Sequence, residues 1–211
     1  IRNNAAEDLP TYMSSLVTTV EMDNHGAYRL LTKRLGLELL NTNFKTELLI
    51  KAAENADLLM IRDLIEAGAR ATGVKSSLIG LEPPLFKAAN GGVANERSHR
   101  IEDRRKAVRL FLEAGAPVVN CYFSYCMSVL SSVDDPIIAE MLINAGANPN
   151  FRDDEGEHIL FSISDDDVAM VLITHGADLN AVRPADGMTL RRWARKQGWR
   201  RVADLLNRKG L

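Results

Sequence analysis

The sequence predicts an all-α fold: a solenoid of about five helix–turn–helix repeats over 47–211, preceded by an N-terminal helical cap over 1–46. Two observations lead there. A helix ending of apolar residues closed by Gly returns five times along the 211 residues. Leu and Ala are abundant while aromatic residues make up only 6%, a mix that favours helices over β-sandwiches.

The endings, in chain order, begin with Leu64-Ile65-Glu66-Ala67-Gly68-Ala69 and Leu110-Phe111-Leu112-Glu113-Ala114-Gly115-Ala116. They continue with Met141-Leu142-Ile143-Asn144-Ala145-Gly146-Ala147-Asn148-Pro149-Asn150 and Val171-Leu172-Ile173-Thr174-His175-Gly176-Ala177-Asp178-Leu179-Asn180. The last copy, Leu205-Leu206-Asn207-Arg208-Lys209-Gly210, is worn. Each offers one apolar helix face and then a Gly able to take the left-handed turn that closes a helix.

This pattern resembles the second helix of an ankyrin repeat with its Gly-Ala-Asp-x-Asn turn. The resemblance implies a first helix opening about 21 residues earlier on a Thr-Pro-Leu-His-x-Ala-like segment. Counting back reaches Glu47 from Gly68, Tyr125 from Gly146 and Thr189 from Gly210, the last preceded by Asp186-Gly187. Pro83-Pro84-Leu85-Phe86-Lys87-Ala88-Ala89 fills the slot in the second repeat, and Gly156-Glu157-His158-Ile159-Leu160-Phe161 in the fourth. Repeats are therefore expected at about 47–80, 81–120, 121–150, 151–182 and 183–211. Leu49, Ala52, Leu64, Leu85, Ala88, Leu112, Leu142, Leu160, Leu172 and Leu206 are the expected core.

Ahead of the repeats, Thr11–Val20 and Gly26–Leu40 read as short helices, and Asp23-Asn24-His25-Gly26 echoes a repeat start. They form either a cap over the first repeat or the tail of a preceding domain. A first residue of Ile keeps the second choice open. Between Gly91 and Arg105 the repeat rhythm breaks. Either the following helix starts early, its face marked by Ile101, Val108, Phe111 and Leu112, or the loop reaches a partner.

The resemblance implies a protein-binding module that uses hairpin tips and inner helices. Side chains there need not serve the core, so Tyr122, Phe123, Phe151, Arg152, Asp154 and Arg183 are the candidate partner contacts. Exposed rings make good anchors. For Tyr122 and Phe123, contact with a partner and packing into neighbouring repeats both fit. The expected function is recognition, with sequestration or inhibition, of one protein by a monomer when free. The alternative is the substrate-recognition domain of a larger enzyme of the bacterial-effector kind.

Charge is uneven. Nine basic residues between Arg183 and Leu211 face only Asp186 and Asp204, so a stretch of +7 leaves −9 elsewhere within a net −2. Interleaved Trp193 and Trp199 give a third, weaker reading of nucleic-acid binding; a solvated terminal cap is the plainer one. His25, His99, His158 and His175 do not converge in sequence, with His158 in a helix-capping slot. Asp165-Asp166-Asp167 opens a helix, where acids are favoured without a metal. Cys121 and Cys126 lack metal or redox spacing and point to a reducing compartment, the cytoplasm or a host cell. No phosphate loop or nucleophile elbow is present, so no enzyme activity, metal or cofactor is expected. No apolar run is long enough to span a membrane.

Overall fold

A computed structural model describes residues 9–73, 83–90, 101–122 and 125–211, with backbone alone for 120–122 and 125–126. Ten α-helices and one two-stranded sheet lie among the described residues. Helices pack in pairs, and the chain divides into two compact units, one up to Ala116 and one from Pro117 to Leu211, with Ala89 and Asn90 assigned to the second.

The first unit holds α1 (Leu9–Glu21), α2 (His25–Leu35), α3 (Thr42–Glu54), α4 (Leu58–Glu66), α5 (Pro84–Ala89) and α6 (Ile101–Glu113). α1 packs on α2 and α3, α3 on α4, and α4 on α6. Leu16, Tyr28, Leu49, Ile61, Leu64 and Phe111 are fully buried among them. α2 stops at Leu35, five residues short of the expected Leu40. Gly36 at φ +77° turns the chain out, and its N–H closes the helix on the Thr32 carbonyl. α6 does start early, at Ile101; residues 91–100 of the insertion lie outside the described residues.

The α1–α2 turn repeats the α3–α4 turn. Asp23 (φ +52°) and Ala56 (φ +48°), 33 residues apart, are the non-glycine residues in the left-handed region among those described. In each turn the next N–H bonds five residues back: Asn24 to the Thr19 carbonyl, Asp57 to the Ala52 carbonyl. In each, that residue then caps the following helix, Asn24 accepting from Ala27 and Asp57 from Leu59 and Met60. Side chains also match. Tyr12 of α1 donates to the Gly36 carbonyl at 2.9 Å, and the buried Lys45 of α3 donates to the Ala67 carbonyl at 2.8 Å. Each supplies an orphan carbonyl at the end of the second helix with a donor.

The second unit opens on an antiparallel hairpin of β1 (Val119–Tyr122) and β2 (Tyr125–Ser128), with Cys121 opposite Cys126 in the backbone register. A 3₁₀ turn (Val129–Ser132), α7 (Pro136–Asn144), a second 3₁₀ turn (Ile159–Phe161), α8 (Asp166–Thr174), α9 (Leu190–Gln197) and α10 (Arg200–Lys209) follow. α8 packs on both α7 and α10, and α10 on α9. Two expectations fail here. Tyr125 opens a strand rather than a helix, because the first helix of this pair shrinks to one 3₁₀ turn. The cap is Ser128, whose hydroxyl accepts from the Leu130 N–H. A count of 21 residues back from Gly146 therefore overshoots by three. The fold is also less purely helical than expected, for the same reason.

The second helices of five pairs close identically, and α9 ends in the same way at Gly198 (φ +75°), with the Trp199 N–H on the carbonyl of buried Ala194. Gly68, Gly115, Gly146, Gly176 and Gly210 have φ of +90°, +77°, +98°, +92° and +73°. Each Gly N–H bonds three residues back, and the next N–H bonds five residues back, to the carbonyls of Leu64, Phe111, Leu142, Leu172 and Leu206. Those five residues are wholly buried. The core position is thus four before the Gly, which corrects one expected core residue: Leu112 sits a step too late and is half-buried, while Phe111 fills the core.

Gly146→Ala isolates the backbone term, since an added Cβ meets nothing within 4 Å. The left-handed conformation should make it cost about 1–2 kcal/mol. Gly26→Ala, in ordinary helix backbone with Asn24 Oδ1 at 3.7 Å, should cost nothing. Urea denaturation midpoints compare the two; equal midpoints would contradict the closure argument.

Candidate binding surface on the hairpins of the second unit

Each 3₁₀ turn or helix α9 is entered through a hairpin. β1 and β2 form the first, with the Val129 N–H on the Val118 carbonyl. Single antiparallel bridges, Arg152 with His158 and Val182 with Thr189, define two more. Gly156 and Gly187, both at positive φ, turn their tips. The 152–158 tip is held by Asp153, whose Oδ1 accepts from the Glu155 and Glu157 N–H groups at 3.0 and 2.8 Å.

Four of the six candidate contacts fall on these last two hairpins or at their base. Phe151 is half-buried, its carbonyl taking the Ile159 N–H. Arg152 is exposed and donates to the Gly156 carbonyl at 3.0 Å; Asp154 is exposed at the tip. Arg183 reaches across to Glu157 at 3.2 Å, lies 3.8 Å from Asp186, and sets its guanidinium 5.2 Å from the centre of the Trp193 ring. Phe161 meets the same ring edge-on at 5.8 Å. Arg183 is therefore both a candidate contact and a brace joining two hairpins. Tyr122 ends β1 opposite Tyr125 in the register. Its side chain, and all of Phe123, lie outside the described residues.

Behind the tips, Asn150 ties neighbours together. Its Nδ2 donates to the Gly176 carbonyl at 2.8 Å, and its Oδ1 accepts from the Asp178 N–H at 2.7 Å. The same Oδ1 lies 3.1 Å from Nε2 of the buried His158, while His158 Nδ1 accepts from the Leu160 N–H. Since Nδ1 accepts, Nε2 carries the proton and donates to Asn150. Burial first, then the Arg152 charge, pushes the His158 pKa below its ordinary 6.5. The expected helix-capping role of His158 is what the structure places there.

The three adjacent aspartates divide their work. Asp165 caps α8 by accepting from Val168 at 2.9 Å. Asp166 accepts from the Arg201 and Val202 N–H groups, which start α10, at 2.8 and 3.1 Å. Asp167 pairs with the Arg201 guanidinium. Trp199, in the cap position of α10, contributes no side-chain cap and instead donates its indole N–H to the Ser164 carbonyl at 3.2 Å. The sequence reading missed Glu157 and the reach of Asn150. The recurrence of Asn150 and Asn180 after successive Gly-Ala pairs was the available signal for the second.

Two outcomes follow. Asp166→Ala should lower stability by about 1 kcal/mol through the α10 N–H groups it strands; an unchanged unfolding midpoint would refute this. For His158, both folded and unfolded states are neutral well above pH 6.5. Below it the unfolded state takes up a proton first, so stability falls with pH until the depressed folded pKa is passed. His158→Thr should show a flatter acid limb than the parent when unfolding is measured from pH 8 down to about pH 5; parallel curves would contradict the assignment. No protein-family model matches the chain, and no curated protein matches it either.

Proposed function

We propose that the chain is a divergent ankyrin-type repeat protein that binds a protein partner through its hairpin tips. The five identical helix closures, each on a buried residue four before the Gly, support the repeat assignment. The observation that carries the binding surface is the pair of adjoining hairpins, 152–158 and 182–189. They are braced from behind by Asn150 and by the Glu157–Arg183 pair, and they leave Arg152 and Asp154 exposed. A rigid base under exposed polar tips lets a surface recognise without first being ordered. The half-buried Phe151 adds ring area beside them.

The basic residues of α9 and α10 fit a solvated end better than a nucleic-acid groove. Trp199 is buried with its N–H committed, and Trp193 is buried under Arg183 and Lys196, whose charges lie 5.2 and 5.4 Å from its ring centre. Neither ring is available to stack on a base.

Affinity capture followed by alanine substitution tests the proposal. Phe123→Ala, Phe151→Ala and Arg152→Ala should each weaken the captured complex; at a desolvated anchor the loss is about 2 kcal/mol or more. Arg208→Ala, on the exposed end of α10, should leave binding within about 0.5 kcal/mol. Full affinity in all three variants, with thermal unfolding unchanged, would move the interface off the hairpins.

A further inference from the structure

The turn joining α1 to α2 and the turn joining α3 to α4 bring three ligand-type side chains to one point. His25 Nε2 lies 2.8 Å from Asp57 Oδ2 and 3.2 Å from Asp23 Oδ1. The three groups can present atoms that all lie within 4.8 Å of one another. No short sequence motif announces this, because His25 and Asp57 are 32 residues apart.

Each ligand is positioned by its own backbone. Asp57 is buried, its side chain 1% exposed, and its Oδ1 is committed to the Leu59 and Met60 N–H groups. That leaves Oδ2 fixed toward His25. Asp23 reaches the same nitrogen from a left-handed residue, and its side chain is 42% exposed; that of His25 is 50% exposed. One side of the group is anchored and the other is open to solvent. The Tyr28 hydroxyl, one turn beyond His25, is buried without a hydrogen-bond partner. Burial first, then the charges of Asp63 and Asp57, holds its pKa well above the ordinary value.

We propose that Asp23, His25 and Asp57 bind one divalent cation of the zinc type. His25 would give Nε2, each Asp one oxygen, and water the fourth position. Without metal, Nε2 can bond to either carboxylate only as a proton donor. With metal, that proton leaves, neutral imidazole donates its lone pair, and two positive charges balance two carboxylates. Bonds of about 2.0–2.1 Å in a tetrahedron set ligand atoms about 3.3 Å apart. The 3.2 Å edge already fits, and the 2.8 Å edge must open by roughly half an ångström, a shift available to the half-exposed His25 ring. One imidazole with two carboxylates favours zinc over calcium or magnesium, which prefer all-oxygen shells. Bound metal would cross-link the two turns and so stabilise the first unit.

The test uses the full chain stripped with EDTA, then titrated with zinc chloride in calorimetry and thermal unfolding. Expected are one equivalent bound and a melting temperature that rises with zinc, as binding to the folded state alone requires. Magnesium or calcium chloride should give at most a small shift. Asp23→Asn and His25→Gln should each weaken zinc binding at least about tenfold, or roughly 1.4 kcal/mol, while melting normally in EDTA. Asp57→Asn keeps an oxygen for the helix cap and should weaken zinc as well. Absence of zinc binding in the parent would overturn the proposal. So would zinc binding that is equally tight in the Asp23 and His25 variants, because the metal would then sit elsewhere.

Discussion

Everything in the helix pairs depends on how the second helix of each pair stops. A helix must satisfy its last carbonyls, and here a left-handed Gly lets the following N–H fold back onto the carbonyl of a buried residue. The hydrogen bond and the apolar contact are made by the same residue, so the register of the helix and the position of the next loop are fixed together. Leu64, Phe111, Leu142, Leu172 and Leu206 mark this at the second helices, and Ala194 repeats it at the end of α9. The loops that follow leave from equivalent points, and the hairpins of the second unit start from them.

Between these closures the chain tolerates large changes in length. The first member of a pair ranges from the 13 residues of α3 to the three of the Ile159–Phe161 turn. The two shortest keep a capped start and a buried residue just after it: Ser128 with Leu130, His158 with Leu160. A capped 3₁₀ turn buries the same apolar side chains as a short helix at less chain length. The insertion before α6 and the shortened turns are then variations within a fixed frame of ends.

That frame was legible in the sequence because its signal is local: apolar residues at helical spacing and then a Gly. Its phase was less legible, since a leucine one step from the core position, such as Leu112, looks the same in sequence as Phe111 beside it. Strand β2 was missed because Tyr125 falls where a full-length first helix would begin, and only the lost turn displaces it. The α1–α2 turn showed only an echo of a repeat start, in Asp23-Asn24-His25. The matching turn at Asn55-Ala56-Asp57 shares few of its residue types and most of its hydrogen bonds. Contacts among Asn150, His158 and Asp178, or between Glu157 and Arg183, join residues 8 to 28 apart, which no pattern of spacing reveals by itself. Of the candidate surface, the sequence placed the hairpin at Phe151 and Arg152 correctly. It did not show that Arg183 is already engaged within the fold.

The start of α10 has a consequence for how such a chain can change over time. Its free N–H groups are met by Asp166, a residue of α8, because Trp199 in the cap position carries only a donor, which it gives to the Ser164 carbonyl. These hydrogen bonds, with the Asp167–Arg201 pair, cross the boundary between one helix pair and the next, and the last pair is the donor in each. Recombination that exchanged the last pair for another would separate Asp166 from the N–H groups it serves and Trp199 from its carbonyl. A duplicate of the segment from Thr189 onward placed elsewhere would arrive without the carboxylate that meets two of the first N–H groups of α10.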